Sequence, residues 1–337
     1  MTTRTANAGG VRAAKVRRAT VRVLGTLSRS VLIFVPAFLL ATFVTFALRA
    51  LTGISPARIQ LGEDATPDAI HRIEHEWGLD RPFLVQYGNW LNEVLHGRLG
   101  ASWSNGADIS TLIGSGFAIS LSVATLALVI GVVVGCGFGT LAAVRQASRI
   151  DRGITGFMTV ISVMPAFVVG IVLVEIFAVG LHWLPSAGYV PIGAGLGLWL
   201  SHLILPALAL SFDTVSDVAR QLRSGLIAAY QENYVTGAIV RGLGRRRIFL
   251  HHVLRNGAGP ALAVLGLRFP ALIGGAVITE WIFGLQGFGR FANDSAQAGD
   301  VPSVQGVLVV SIVLVVLFNL LVNLILARVT PASQRGV

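Results

Sequence analysis

The sequence predicts an all-α integral membrane protein with six transmembrane helices, and three observations carry that prediction. Only 12% of the 337 residues are charged and 54% are apolar, with mean hydropathy +0.73, whereas a soluble domain carries roughly 25% charged residues. Charge-free runs such as 109–144 exceed the ~20 residues that one helical crossing of the hydrocarbon core needs. The basic residues stand beside the apolar runs, where they set topology. The net charge of +10 is therefore not read as a nucleic-acid surface. The single Cys136 has no disulfide partner and makes no metal site, so it reads as a small buried hydrophobe.

Residues 1–29 form a polar tail with seven basic residues and no acidic one. The charge-free run 30–48 follows and is taken as the first span. A signal peptide is the competing reading, but the run is long for an h-region and no clear small-x-small site follows it. Residues 49–108 form a long loop with eight carboxylates and five arginines. Thr66-Pro67-Asp68 predicts a helix start, with Thr66 as N-cap and proline at the first helical position, ending at Gly78. A second helix is expected from Pro82 to His96. Trp77, Trp90 and Trp103 suit either a cap at the membrane surface or the core of a small subdomain.

The second span is placed near 115–142. Gly131, Gly135 and Gly139 repeat every four residues on it, and small residues at that spacing let backbones approach closely in lipid. The third span runs from Gly153 to about Leu181, with a kink expected at Pro165. The fourth, fifth and sixth spans are placed near 198–218, 257–283 and 304–327. Six spans put both termini on one side. Nineteen Lys and Arg residues fall on that side and six on the other. The positive-inside rule then puts the termini and the 220–255 loop in the cytoplasm, and 49–108 outside.

The longest polar interruption of the C-terminal half is 230–260. It reads as a short helix from Tyr230 to Val240, a turn at Arg241-Gly242-Leu243-Gly244, and a second helical piece. Leu226, Tyr230, Tyr234 and Ala238 recur at spacing four and predict one apolar stripe. A short amphipathic helix between two spans suits a knob that docks into another protein; a solvated linker with a capping Gly242 is the bland alternative.

The residues Glu232, Tyr234, Val235, Ala238, Arg241, Gly242 and Leu243, followed by His252, Leu254, Arg255, Asn256 and Pro260, form a pattern. That pattern resembles the cytoplasmic loop of permease subunits of binding-protein-dependent ABC importers, in the dipeptide/oligopeptide/nickel branch. Asn233 and Gly237 depart from it. Further matches are Gly78 to Pro82 with Gln86, Tyr87, Trp90 and Leu91; Met164-Pro165 with Phe167 and Gly170; Thr279-Glu280 with Phe283, Gly287 and Gly289; and Asp300, Pro302, Gln305 and Gly306. Gln286 stands where proline is usual. The resemblance covers roughly 25–330.

It implies a type I ABC importer permease fold, with a five-helix core at 109–330 and a coupling loop at 225–256. The coupling residues it implies are Glu232, Tyr234, Val235, Ala238, Arg241, Gly242, Leu243 and His252. It also implies partners: a homologous second permease, two ATPases that hold ATP and magnesium, and an extracytoplasmic binding protein that delivers a peptide. The chain itself would carry no cofactor and would lie in the plasma or inner membrane.

Four ionisable groups depart from the family: Asp213, Asp217, Arg268 and Glu175. Charges at membrane depth cost at least ~2.5–3.5 kcal/mol and usually face a cavity or a partner. Asp213 and Arg268 are expected to pair or to line the translocation path together, the alternative being a structural pair with Asp217–Arg220 at the interface. Glu280, by contrast, matches the family and is expected in an outer turn or gate. No G-x-x-x-x-G-K-[ST] is present, so the chain has no P-loop of its own. Neither G-x-S-x-G nor H-E-x-x-H occurs, and the adjacent His251 and His252 point apart on a helix, so no catalytic or metal site is expected. Two other classes stay open: a proton-coupled secondary transporter using Asp213, Asp217 and Glu175, and a non-transporting scaffold. Nickel chelates and glutathione remain alternative cargoes.

Overall fold

A computed structural model describes residues 34–51, 55–62 and 64–329, with side chains to 326. The basic tail 1–29, the start of the first span and Arg335 lie outside them. Among the described residues, five helices have the length and apolarity to cross a membrane: α1 (Phe34–Leu51), α5 (Ile109–Val144), α8 (Leu196–Tyr230), α12 (Gly259–Ile282) and α14, which spans Val301–Val329.

The predicted third span differs from expectation. A single span with a kink was predicted; the chain instead forms α6 (Arg149–Val163) and α7 (Ala166–Leu173), the latter continued by a π turn to Gly180, with a 99° bend between the two arms. Pro165 causes the break: it has no N–H, and its ring forces Met164 out of the helical region to φ −79, ψ 120.

The core is built on α5 and α8, which run parallel. Gly131, Gly135 and Gly139 form the seam, as predicted. A Cβ on Gly131 would lie 2.5 Å from Thr214 Cγ2, one on Gly135 2.9 Å from the Val215 carbonyl, and one on Gly139 2.7 Å from the Ala219 carbonyl. Dispersion between closely packed backbones replaces the hydrophobic effect here, because lipid is as apolar as the seam. On its other side α8 meets α12 antiparallel, and α12 meets α14 through the stacked pair Phe269–Phe318, 3.9 Å between centroids.

The 49–108 segment forms α2 (Pro56–Leu61), α3 (Pro67–Glu76) and α4 (Phe83–Leu95). Thr66 caps α3 as read, its Oγ1 accepting from the Ala69 amide. The tryptophans pack on protein. Trp77 and Trp103 stack at 4.9 Å, while Trp90 packs on Phe46 of α1 at 5.6 Å. This aromatic layer fastens α4 to α1, and Tyr87 Oη lies 3.0 Å from Thr42 Oγ1.

Candidate coupling surface and charge cluster

Helix α8 extends further than its apolar run, through Arg220 to Tyr230. The chain then breaks at Gln231 and Glu232, the latter extended at φ −74, ψ 143. Helix α9 (Asn233–Val240) follows, and Gly242 turns the chain at φ +71, a conformation that costs a Cβ-bearing residue most. Then come α10 (Arg245–Ile248), a π turn, and α11 (Leu254–Gly257).

The single stripe expected through Tyr230 is therefore corrected. Tyr230 ends the long helix and is 38% exposed, while Leu226 and Ala238 meet across the break in one apolar cluster with Leu222, Val235, Ile248 and Val253. Periodicity joined two helices because their buried positions happen to stay in phase.

This geometry divides the predicted coupling residues. Val235 and Ala238 are buried and fasten α9 to the core; Tyr234, Leu243 and His252 are half-buried; Glu232, Arg241 and Gly242 are exposed. The outward tip carries two residues absent from that set, Ile239 at 61% exposure and Val240 at 82%. Helical rotation turns Val240 outward, 200° past the buried Ala238, whereas Ile239 follows the buried Val235 by four and its exposure was not readable from spacing. Below the knob, α8 and α11 touch backbone to backbone: a Cβ on Gly257 would lie 2.8 Å from the Gly225 carbonyl.

A second cluster lies between α8 and α12. Arg268 Nε donates to Asp217 Oδ2 at 2.6 Å, with Nη2 closer still, and Arg220 Nη2 donates to Asp217 Oδ1 at 2.5 Å. Asp213 Oδ2 stands 3.6 Å from Arg268 Nη1. The two pairings foreseen as alternatives thus coexist, and Asp217 is their centre. The face of α8 packed on the α5 glycine seam is buried through Thr214, Val215, Val218 and Ala219, and the stripe that carries Asp213 and Asp217 continues through the exposed Arg220, Gln221 and Ser224. Glu175 lies apart from this cluster, exposed on the π turn after α7.

Glu280 is wholly buried and caps α13 (Phe288–Gln297). Its Oε2 accepts from the Arg290 amide at 2.7 Å and its Oε1 from Ser120 Oγ, which itself accepts from the Phe288 amide at 2.7 Å. A Cβ on Gly287 would overlap the Glu280 carboxylate, and one on Gly289 would lie 2.9 Å from Val277 Cγ2. The E-x-x-F-x-x-x-G-x-G spacing thus brings a carboxylate to a helix N-terminus through glycines that leave room for it. Asp300 does similar work at α14, accepting from Ser102 Oγ at 2.5 Å and Ser303 Oγ at 2.8 Å, and Gln305 Nε2 donates to the Thr42 carbonyl at 2.9 Å.

One pair escaped sequence reasoning. Arg223 grips Asp151 with two bonds, Nε to Oδ1 at 2.6 Å and Nη2 to Oδ2 at 2.8 Å, fastening the start of α6 to α8. Asp151 lies between the predicted second and third spans, and nothing in the spacing links positions 72 residues apart. Asp151→Asn or Arg223→Gln should each cost about 2–3 kcal/mol, toward the low end for a buried pair because Arg223 is 30% exposed. The double variant should lose less than the sum, as thermal unfolding in detergent would show.

Comparison with known proteins decides the family. Residues 135–335 match the family described as "Binding-protein-dependent transport system inner membrane component", and residues 23–130 match its N-terminal companion. The chain belongs to this family. It is a transport subunit rather than an enzyme, and a multi-pass membrane protein.

This permease is 36% identical over 289 residues to the "Probable peptide ABC transporter permease protein y4tP" of Sinorhizobium fredii, covering 86% of this chain and 92% of the relative. It is 31% identical to the "Dipeptide transport system permease protein DppB" of Alkalihalophilus pseudofirmus, covering 92% and 99%. It is 32% identical to the "Glutathione transport system permease protein GsiC" of Salmonella choleraesuis, covering 93% and 99%. The inward-facing MetNI methionine ABC transporter shares the fold at TM-score 0.55 and 16% identity, over 66% of this permease and 98% of that chain.

Proposed function

We propose that the permease is one of two homologous transmembrane subunits of an ATP-driven peptide importer. An extracytoplasmic binding protein delivers the peptide, and two separate ATPases hold ATP and magnesium. The peptide assignment draws on the relatives named for peptide and dipeptide transport; glutathione, itself a peptide, is named for another. Both termini and the 225–256 coupling loop face the cytoplasm, by the distribution of basic residues. The 49–108 subdomain then faces outward, where the binding protein docks.

The observation that carries this reading is the build of the coupling loop. Its inner face is anchored in a buried apolar cluster and its tip presents Ile239, Val240 and Arg241 to a partner. A bare solvated linker would not hold two aliphatic residues outward on a fixed helix. ATP-driven closure of the ATPases would push the tip; α9 and α11 would pass the displacement to α8 at Gly225, and the spans would rock between inward- and outward-facing arrangements.

Val240→Asp and Arg241→Glu are therefore expected to leave membrane insertion intact and to cut ATP-dependent uptake by about tenfold or more, as for loss of an interface anchor. Reconstitution with the partner subunits checks this. Normal uptake by both variants would contradict the coupling role.

A further inference from the structure

The charge cluster between α8 and α12 is unevenly built. Asp217 is contacted by both arginines and its side chain is 16% exposed, whereas Asp213 has only Arg268 Nη1 at 3.6 Å, beyond hydrogen-bonding length, and is 49% exposed. One carboxylate thus carries two guanidinium groups while the other is nearly free. Four formal charges cancel, so the cluster is neutral as a whole. Asp213 stands 17 residues into α8, roughly 26 Å along its axis, at a depth where a half-exposed carboxylate is not left to lipid. It opens on the polar stripe of α8 shared with Arg220, Gln221 and Ser224.

We infer that Asp213 and Arg268 form a separable ion pair that exchanges for the two ends of a passing zwitterion. The Asp213 carboxylate takes the substrate ammonium, and Arg268 with Arg220 takes the substrate carboxylate. Separation is easy because Arg268 stays anchored on Asp217 and gives up only the long contact. Neutrality is kept at each stage, because a zwitterion adds no net charge. The inference rests on the peptide reading above and narrows it to substrates with a free amino terminus. It also explains why charged residues occupy positions where apolar ones would insert more cheaply.

The test measures maximal uptake at saturating, substrate-loaded binding protein in proteoliposomes holding the whole transporter, with a free dipeptide and its N-acetylated form. Asp213→Asn should lower the free-dipeptide rate by about tenfold, the weight of one charge-assisted hydrogen bond, and change the N-acetyl rate by less than about twofold. Asp217→Asn should lower both rates together, because it unseats both arginines. Equal effects of Asp213→Asn on the two substrates, or no effect, would overturn the inference.

A wild type that imports no peptide would strike the peptide reading instead. The charge pair is then tested by thiol labelling in a Cys136→Ser background. Asp213→Cys should react with a cationic methanethiosulfonate much faster than Leu267→Cys, at an apolar position 74% exposed on α12. Equal rates would remove Asp213 from the water path.

Discussion

Gly225→Val is expected to remove folded permease from the membrane. A Cβ on Gly225 would overlap the Gly257 carbonyl oxygen, and the reciprocal Cβ on Gly257 would lie 2.8 Å from the Gly225 oxygen. Both obstacles are backbone, so neither can swing aside as a long side chain would. Overpacking a close-packed interior costs about 1–3 kcal/mol when side chains can give way, and here the helices themselves must part, so about 3 kcal/mol or more is expected. Even Gly225→Ala should lose on balance, since alanine regains only about 1 kcal/mol of helix propensity. Gly237→Ala on α9 is the control: nothing lies within 4 Å of its Cβ position. It should hold or raise stability. Thermal unfolding of the solubilised chain, followed by size-exclusion fluorescence, separates these outcomes.

Glu280→Ala should cost about 3–5 kcal/mol. It strips the acceptors from the Arg290 amide and the Ser120 hydroxyl, at about 1–3 kcal/mol for each buried group left unpaired. It also removes a negative charge from the N-terminus of α13, worth a further 0.3–1 kcal/mol or so. Glu280→Gln keeps one oxygen and most of the volume, so it should recover about half of that loss. If alanine and glutamine were equally mild in thermal unfolding, the carboxylate would not be holding α13.

The spans were legible because lipid demands long charge-free runs, and the Gly131-Gly135-Gly139 seam was legible because only a close helix contact calls for small residues at that spacing. Thr66 and Pro67 announced α3 for equally local reasons. Pro165 announced a break but not its angle, because a 99° bend depends on how the two arms pack and not on proline alone. The segment 230–260 does interrupt the spans as a helix, a glycine turn and a second helical piece, yet its first helix was drawn three residues too long. Apolar spacing cannot distinguish one helix from two that continue in phase. The Asp151–Arg223 clamp and the sharing of Asp217 by two arginines depend on contacts between distant positions, which no local pattern encodes. Glu280 was found by its motif, but its burial and capping geometry needed the fold.

The most direct test of the account is a cysteine at Val240 in a Cys136→Ser background, cross-linked in native membranes that carry the whole transporter. The account expects Val240→Cys to link to an ATPase subunit, to be labelled by impermeant thiol reagents only from the cytoplasmic side, and to stop uptake once linked. A tip that is labelled from outside the cell, or that never links to an ATPase, would contradict it.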